Sequence, residues 1–237
     1  MRLYKYLNPS IRTYESIKNS EFYFPRFNQL NDPCELSLID CNTETIAHIR
    51  YNLIRPGNSI WIFCLSETND NLHMWTQYAD WHKGIVVEFE TDEDPNFFKD
   101  FDKVVYSKNP PKYNQDTQLR DLIFTKSLDS DKEKEWRVFW ENKKYKIKPE
   151  AIKSIIYGYR FPLWYFTSSN WKELLSEIYG NKEDMIDGFL KLESLFWHNQ
   201  LHESIKFYQA KIHHNSYQLE MSEKFSKSWI YTTNAQK

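Results

Sequence analysis

Residues 133–158 read EKEWRVFWENKKYKIKPEAIKSIIYG. Three strand-like runs, Glu133–Glu141, Tyr145–Lys148 and Ala151–Tyr157, follow one another here in close succession. They are rich in β-branched and aromatic residues, which suit a pleated, half-buried surface. Further on, Ser204–Lys211 and Tyr217–Ser222 read as a hairpin turning at His213-His214-Asn215-Ser216. Late strands that cluster as hairpins, with helices interspersed irregularly, argue for an α+β fold and against a doubly wound parallel sheet.

Working outward, Leu3–Leu7, Glu21–Phe24, Ser59–Leu65, Gly84–Glu90 and Phe101–Ser107 read as strands. Ile11–Lys18, Thr43–Ile54 and Leu72–Ala79 read as helices, the last capped from Asn69-Asp70-Asn71. Further helices are expected near Asp116–Lys126 and over Trp171–Tyr179 and Lys182–Gln200. Phe27–Pro33 is a turn-rich loop, because Asn-Asp-Pro competes with regular backbone bonding, and Thr91–Pro95 is an acidic one. Without an internal repeat or a low-complexity linker, the expectation is a single domain over 1–237 with a helical accessory segment at 165–203.

The 237 residues carry 31 Lys and Arg against 33 Asp and Glu, a net charge of −2 that gives no overall drive toward nucleic acid or anionic membrane. Aromatic residues make up 17%, enough for a sizeable core. The five glycines, at 57, 84, 158, 180 and 188, match no Walker or G-x-G-x-x-G spacing. Neither a G-x-S-x-G elbow nor an H-E-x-x-H helix occurs. Cys34, Cys41 and Cys64 form no C-x-x-C, which fits reduced thiols better than a disulfide framework or a zinc site. No apolar leader and no run of 18 apolar residues is present, so a cytoplasmic protein without membrane contact is expected.

Several constellations have both a chemical and a structural reading. Strand alternation puts Glu133, Glu135 and Arg137 on one face, with Lys134, Trp136 and Val138 on the other. Two carboxylates so placed can divide labour, one binding a sugar hydroxyl and one stabilising positive charge; a solvated edge with a Glu–Arg pair is the alternative. Arg137 reads as a structural counter-ion. Tyr4 and Tyr6 share one face of the first strand and Lys5 takes the other. Trp75 and Tyr78, three apart, share a helix face that either stacks on a flat heterocycle or joins the core. His73 with His82, and His198 with His202, lack a third ligand at metal spacing. Lys143, Lys144, Lys146, Lys148 and Lys153 read as a protected edge strand or as a nucleic-acid patch.

Taken in order, LYKY at 3–6, NDP at 31–33, CLS at 64–66, MW-x-x-YA at 74–79, HKG at 82–84 with VEFE after it, EWR at 135–137 and IIYG at 155–158 resemble one family. It is the bacterial domain-of-unknown-function family numbered twenty-nine seventy-one, and the resemblance covers residues 1–160. The family usually has Phe before Asn-Asp-Pro, where this chain has Leu30.

That family is itself similar to the ADP-ribosyltransferase superfamily. The resemblance implies a split, mostly antiparallel β-core with peripheral helices that cleaves NAD. It assigns cofactor binding to Tyr4, Lys5 and Tyr6 on the first strand, with Lys5 where toxins of the superfamily carry Arg. Ser66 and the helix bearing Met74, Trp75 and Tyr78 supply the second element. Glu135, second carboxylate of an E-x-E opened by Glu133, supplies the third. NAD is then a substrate, no metal is needed, and the acceptor is RNA, DNA or protein. Cleaving the nicotinamide–ribose bond passes through an oxocarbenium-like state, which a nearby carboxylate stabilises by a few kcal/mol. A toxin or phage-defence effector with a cognate antitoxin is the implied role. A catalytically inactive nucleotide- or partner-binding domain of the same fold is the alternative.

Overall fold

Short apolar runs bounded by Pro, Asn and Asp give the described residues many short strands between their helices. The computed structural model describes residues 1–32, 42–54, 60–112, 119–162, 182–198, 201–213 and 218–222, with 170, 173, 175–177, 180, 215 and 216. In chain order the elements begin with β1 (Arg2–Leu7), α1 (Ile11–Asn19), β2 (Glu21–Tyr23), α2 (Thr43–Ile54), β3 (Trp61–Ser66), α3 (Leu72–Tyr78) and β4 (Ile85–Glu90). There follow β5 (Phe101–Lys103), β6 (Val105–Ser107), α4 (Leu119–Ile123), β7 (Thr125–Ser127), β8 (Glu135–Trp140) and β9 (Lys144–Lys146). The last are β10 (Ile152–Tyr157), α5 (Glu183–His198), β11 (Lys206–Ile212) and β12 (Leu219–Ser222).

Eight of the strands form one sheet in the order β12-β11-β10-β4-β1-β3-β8-β5. Its neighbours pair antiparallel except β10 with β11. The fold is therefore mixed α+β around a large, mostly antiparallel sheet. β1 is bonded to β4 along its whole length, from Arg2↔Glu90 to Leu7↔Ile85. β3 is bonded to β8 just as fully, from Trp61↔Trp140 to Ser66↔Glu135. Between β1 and β3, however, the register holds only at Tyr4↔Ser66. The sheet is opened at its middle.

Both faces of the sheet are covered, which explains why β4 reads IVVEFE with Ile85, Val86, Val87 and Phe89 all fully buried. On one face Leu3, Phe63, Val87 and Phe89 meet Ile17 of α1 and Phe189, Leu192 and Leu195 of α5. On the other, Tyr6, Val86 and Ile156 meet Met74 and Trp75 of α3. α5 thus packs into the main core, with the Tyr157 hydroxyl donating to the Leu192 carbonyl at 2.8 Å. The described residues contain no helix long and apolar enough to cross a membrane.

Local differences from the sequence reading have physical causes. Glu133 does not lie on a strand: it closes a 3-10 turn over Leu128–Glu133, and Lys134 turns the chain with φ 45° before β8 begins. Phe101–Ser107 is two strands, because the Val104 amide donates to the Glu135 carbonyl while β6 leaves to pair with β7. Thr125 and Lys126, expected at the end of a helix, are in β7. The hairpin expected at 204–222 is there, β11 with β12, whereas the three runs before it do not pair with one another: β8 pairs with β3 and β5, β9 with β2, and β10 with β4 and β11. The helix expected over 171–179 falls largely outside the described residues, as do Cys34, Cys41 and Pro33.

Candidate functional site

Where β1 and β3 part, a cleft of about 150 Å³ enters the sheet. Tyr4, Lys5 and Tyr6 of β1 line one side, Met74 and Tyr78 of α3 another, and Glu133 and Glu135 the floor. Cys64 and Lys126 complete it, with Gln29 and Leu30 at the mouth. Two of the anticipated residues are not among the lining. The Ser66 hydroxyl is fully buried, donates to the Glu133 carbonyl at 2.6 Å and accepts from the Thr68 amide at 3.2 Å, so it pins the turn beneath the carboxylates. Trp75 is fully buried, donates from Nε1 to the Asn69 carbonyl at 2.7 Å and meets Tyr6 edge-on at 5.4 Å.

The floor is a network of compensated charges. Lys126 Nζ lies 2.6 Å from Glu133 Oε2 and 3.4 Å from Glu135 Oε2. Arg137 donates from Nε to Glu135 Oε1 at 2.9 Å, from its second terminal nitrogen to Oε2 at 3.1 Å, and from the first to the Ile123 carbonyl. Tyr78 donates its hydroxyl to Glu133 Oε1 at 3.1 Å, while Tyr106 accepts from the Glu135 amide at 2.8 Å. Glu133, Glu135, Lys126 and Arg137 are all buried. Burial alone favours the neutral carboxyl of Glu135, yet the Arg137 guanidinium and the Lys126 ammonium outweigh it and hold it down at about 2. Burial also opposes the charge on Lys126, which Glu135, Tyr78 and Glu133 together raise above the usual lysine range. At neutral pH Glu135 is therefore an ionised acceptor and not a proton donor.

Lys5 sits in the opening itself. Its ammonium donates to the Cys64 carbonyl at 2.8 Å and lies 4.8 Å from the centre of the Phe63 ring. Burial lowers its proton affinity, against the opposing pull of Cys64 and Glu135. The Tyr6 hydroxyl is occupied by the Thr68 carbonyl at 2.9 Å, and Tyr4 reaches Glu88 at 3.5 Å. Asn71 caps α3 by accepting from the His73 and Met74 amides, and its amide nitrogen donates to the Lys132 carbonyl, which ties the start of α3 to the turn that carries Glu133.

Lys126 is the residue that sequence reading missed. It stands in a three-residue strand after Phe124, with no carboxylate beside it in the chain to betray its partners. No group of three or more His, Cys, Asp or Glu side chains among the described residues is placed to hold a metal ion. Chemically, the cleft offers two cation-paired carboxylates beside aromatic walls, in a volume below the roughly 300–1,000 Å³ of a site that engulfs a drug-sized ligand. Compared with family models, curated proteins and solved structures, the chain finds no match.

Proposed function

We propose that the chain is an NAD-dependent ADP-ribosyltransferase built on a split β-core, and that the β1–β3 opening is its active site. The observation that carries the reading is the convergence of Lys5, Glu133 and Glu135 on one cleft at the split. The nicotinamide ring enters between Tyr4, Tyr6, Met74 and Tyr78, and the rest of the dinucleotide lies outside. The glycosidic bond breaks with its electron pair leaving on the nicotinamide nitrogen. Glu135 and Glu133, buried and preorganised, stabilise the positive charge that develops on the ribose. An acceptor nucleophile on RNA, DNA or protein then bonds to the anomeric carbon and loses its proton to solvent, while nicotinamide leaves as the neutral base. A toxin or phage-defence role, and an antitoxin partner, follow from the family resemblance alone.

One observation favours a second reading. Both oxygens of Glu135 are already engaged by Arg137, and Lys126 lies beside them, so its charge is spent inside the protein. A nucleotide- or partner-binding domain without turnover would need no more. Incubating the protein with NAD labelled on the adenylate and with cell lysate separates the two. Transfer of label to RNA, DNA or protein supports the transferase; NAD binding without transfer or hydrolysis supports the binding domain.

A further inference from the structure

A wider groove of about 990 Å³ runs beside the cleft. α1, the turn after β2, the start of β3 and Lys143 border it, and Pro25 and Gln29 line both hollows. Three of its cations, Arg12, Arg26 and Lys143, have no carboxylate within salt-bridge reach among the described residues. Neighbouring lysines differ: Lys144 is held by Glu21 at 2.7 Å and Lys153 by Glu93 at 2.8 Å. The free cations are interleaved with rings. Arg26 stacks 4.8 Å from the centre of Trp61, and Arg12 lies 5.9 Å from Tyr23, which is 37% exposed.

We infer that this groove binds a short single-stranded nucleic-acid segment and leads it to the cleft. Its role as acceptor rests on the transferase reading, whereas its binding does not. Phosphates take the guanidinium and ammonium groups, and bases stack on the Arg26–Trp61 and Arg12–Tyr23 platforms. An acidic peptide would use the cations but leave the rings idle. A duplex fits poorly, because it carries one charge per ~1.7 Å of axis. Three free cations serve two or three phosphates, and Glu15 and Asp184 on the helical wall repel a second row.

The test is fluorescence anisotropy of labelled mixed-sequence RNA and DNA octamers on the full chain, without NAD. With three phosphates neutralised, raising salt from 50 to 200 mM should weaken binding roughly 20-fold. The double variant Arg12→Ala/Lys143→Ala changes two exposed side chains and should keep the wild-type melting temperature. It should bind about tenfold more weakly at 50 mM, and its salt loss should shrink to roughly threefold. Equal binding by wild type and double variant overturns the proposal. So does a duplex of the same sequence binding as tightly, or hexaglutamate displacing the octamer as well as unlabelled octamer does. NAD consumption is measured separately: octamer binding without it leaves the groove standing and removes the transferase, while NAD consumption without octamer binding removes the groove alone.

Discussion

Arg137 and Glu135 hold each other in place so tightly that neither can be changed without cost to the fold. Arg137 is 1% exposed and bonds both oxygens of Glu135. Arg137→Ala leaves a buried carboxylate short of its partner and should cost about 3–5 kcal/mol. At about 2–4 °C per kcal/mol for a chain of this size, the melting temperature should fall by roughly 10 °C; an unchanged melting curve would contradict the pairing. Acid should act through the same pair. The folded-state value for Glu135, about 2, lies below the unfolded value of 4.5, so its contribution is complete above about pH 4.5 and is lost as pH falls toward 2. Thermal melts between pH 6 and 2.5 should show the loss, and Glu135→Gln should flatten that profile. The counter-ion role of Arg137 was legible in the sequence, because alternation from residue 135 to 137 sets both on one face. Lys126 was not, since its partners are fixed by how β7 docks and not by any local spacing.

At the scale of elements, close packing at the ends of β4 and β10 decides what the glycines in HKG and IIYG are for. Asp80, Trp81 and His82 run in left-handed conformation, with φ of 44°, 54° and 67°. Each such residue costs roughly 1–2 kcal/mol, so the turn needs support. It comes from the His82 amide on the Trp75 carbonyl, Arg160 on the His82 carbonyl, and Gly158 on the Gly84 carbonyl. A Cβ on Gly158 would stand 2.1 Å from the His82 oxygen. Gly158→Ala should therefore cost about 1–3 kcal/mol, read as a lower denaturation midpoint with unchanged slope. Helix α3 offers a sharper division. Trp75→Ala should cost about 3–5 kcal/mol and leave NAD affinity of the folded fraction unchanged, because the indole does not line the cleft. Tyr78→Phe removes only the hydroxyl on Glu133, should cost about 1 kcal/mol, and should lower NAD turnover. A melt reads both stability costs, titration calorimetry the NAD affinity of Trp75→Ala, and nicotinamide release the turnover of Tyr78→Phe. Trp75 is fully buried in one core cluster and Tyr78 packs at its edge and lines the cleft, a division that their spacing of three does not state. That depends on how α3 docks on β1, which no local window reports.

Across the whole molecule, the α+β class is legible in the strand patterns, which long runs such as IVVEFE and WIFCLS announce by themselves, whereas the mostly antiparallel sheet was implied only by the family resemblance. Pairing is not legible in them. β9 lies nine residues after β8 begins yet pairs with β2, and the parallel β10–β11 contact joins strands separated by α5. These choices are made by burial on both faces of the sheet, which no local window reports. The opening between β1 and β3 is of the same kind: a property of two strands far apart in the chain, each fully committed to its other neighbour. It brings the candidate carboxylates beside Lys5, and it is the feature on which the proposed activity stands. The most direct measurement is release of labelled nicotinamide from NAD in the presence of lysate, by wild type and by Glu135→Gln, at a temperature where both are shown to be folded. Steady release by the wild type is expected, with a rate lower by about 10²–10³ in the variant. Equal rates in the two proteins, or no release by the wild type above a protein-free blank, would contradict it.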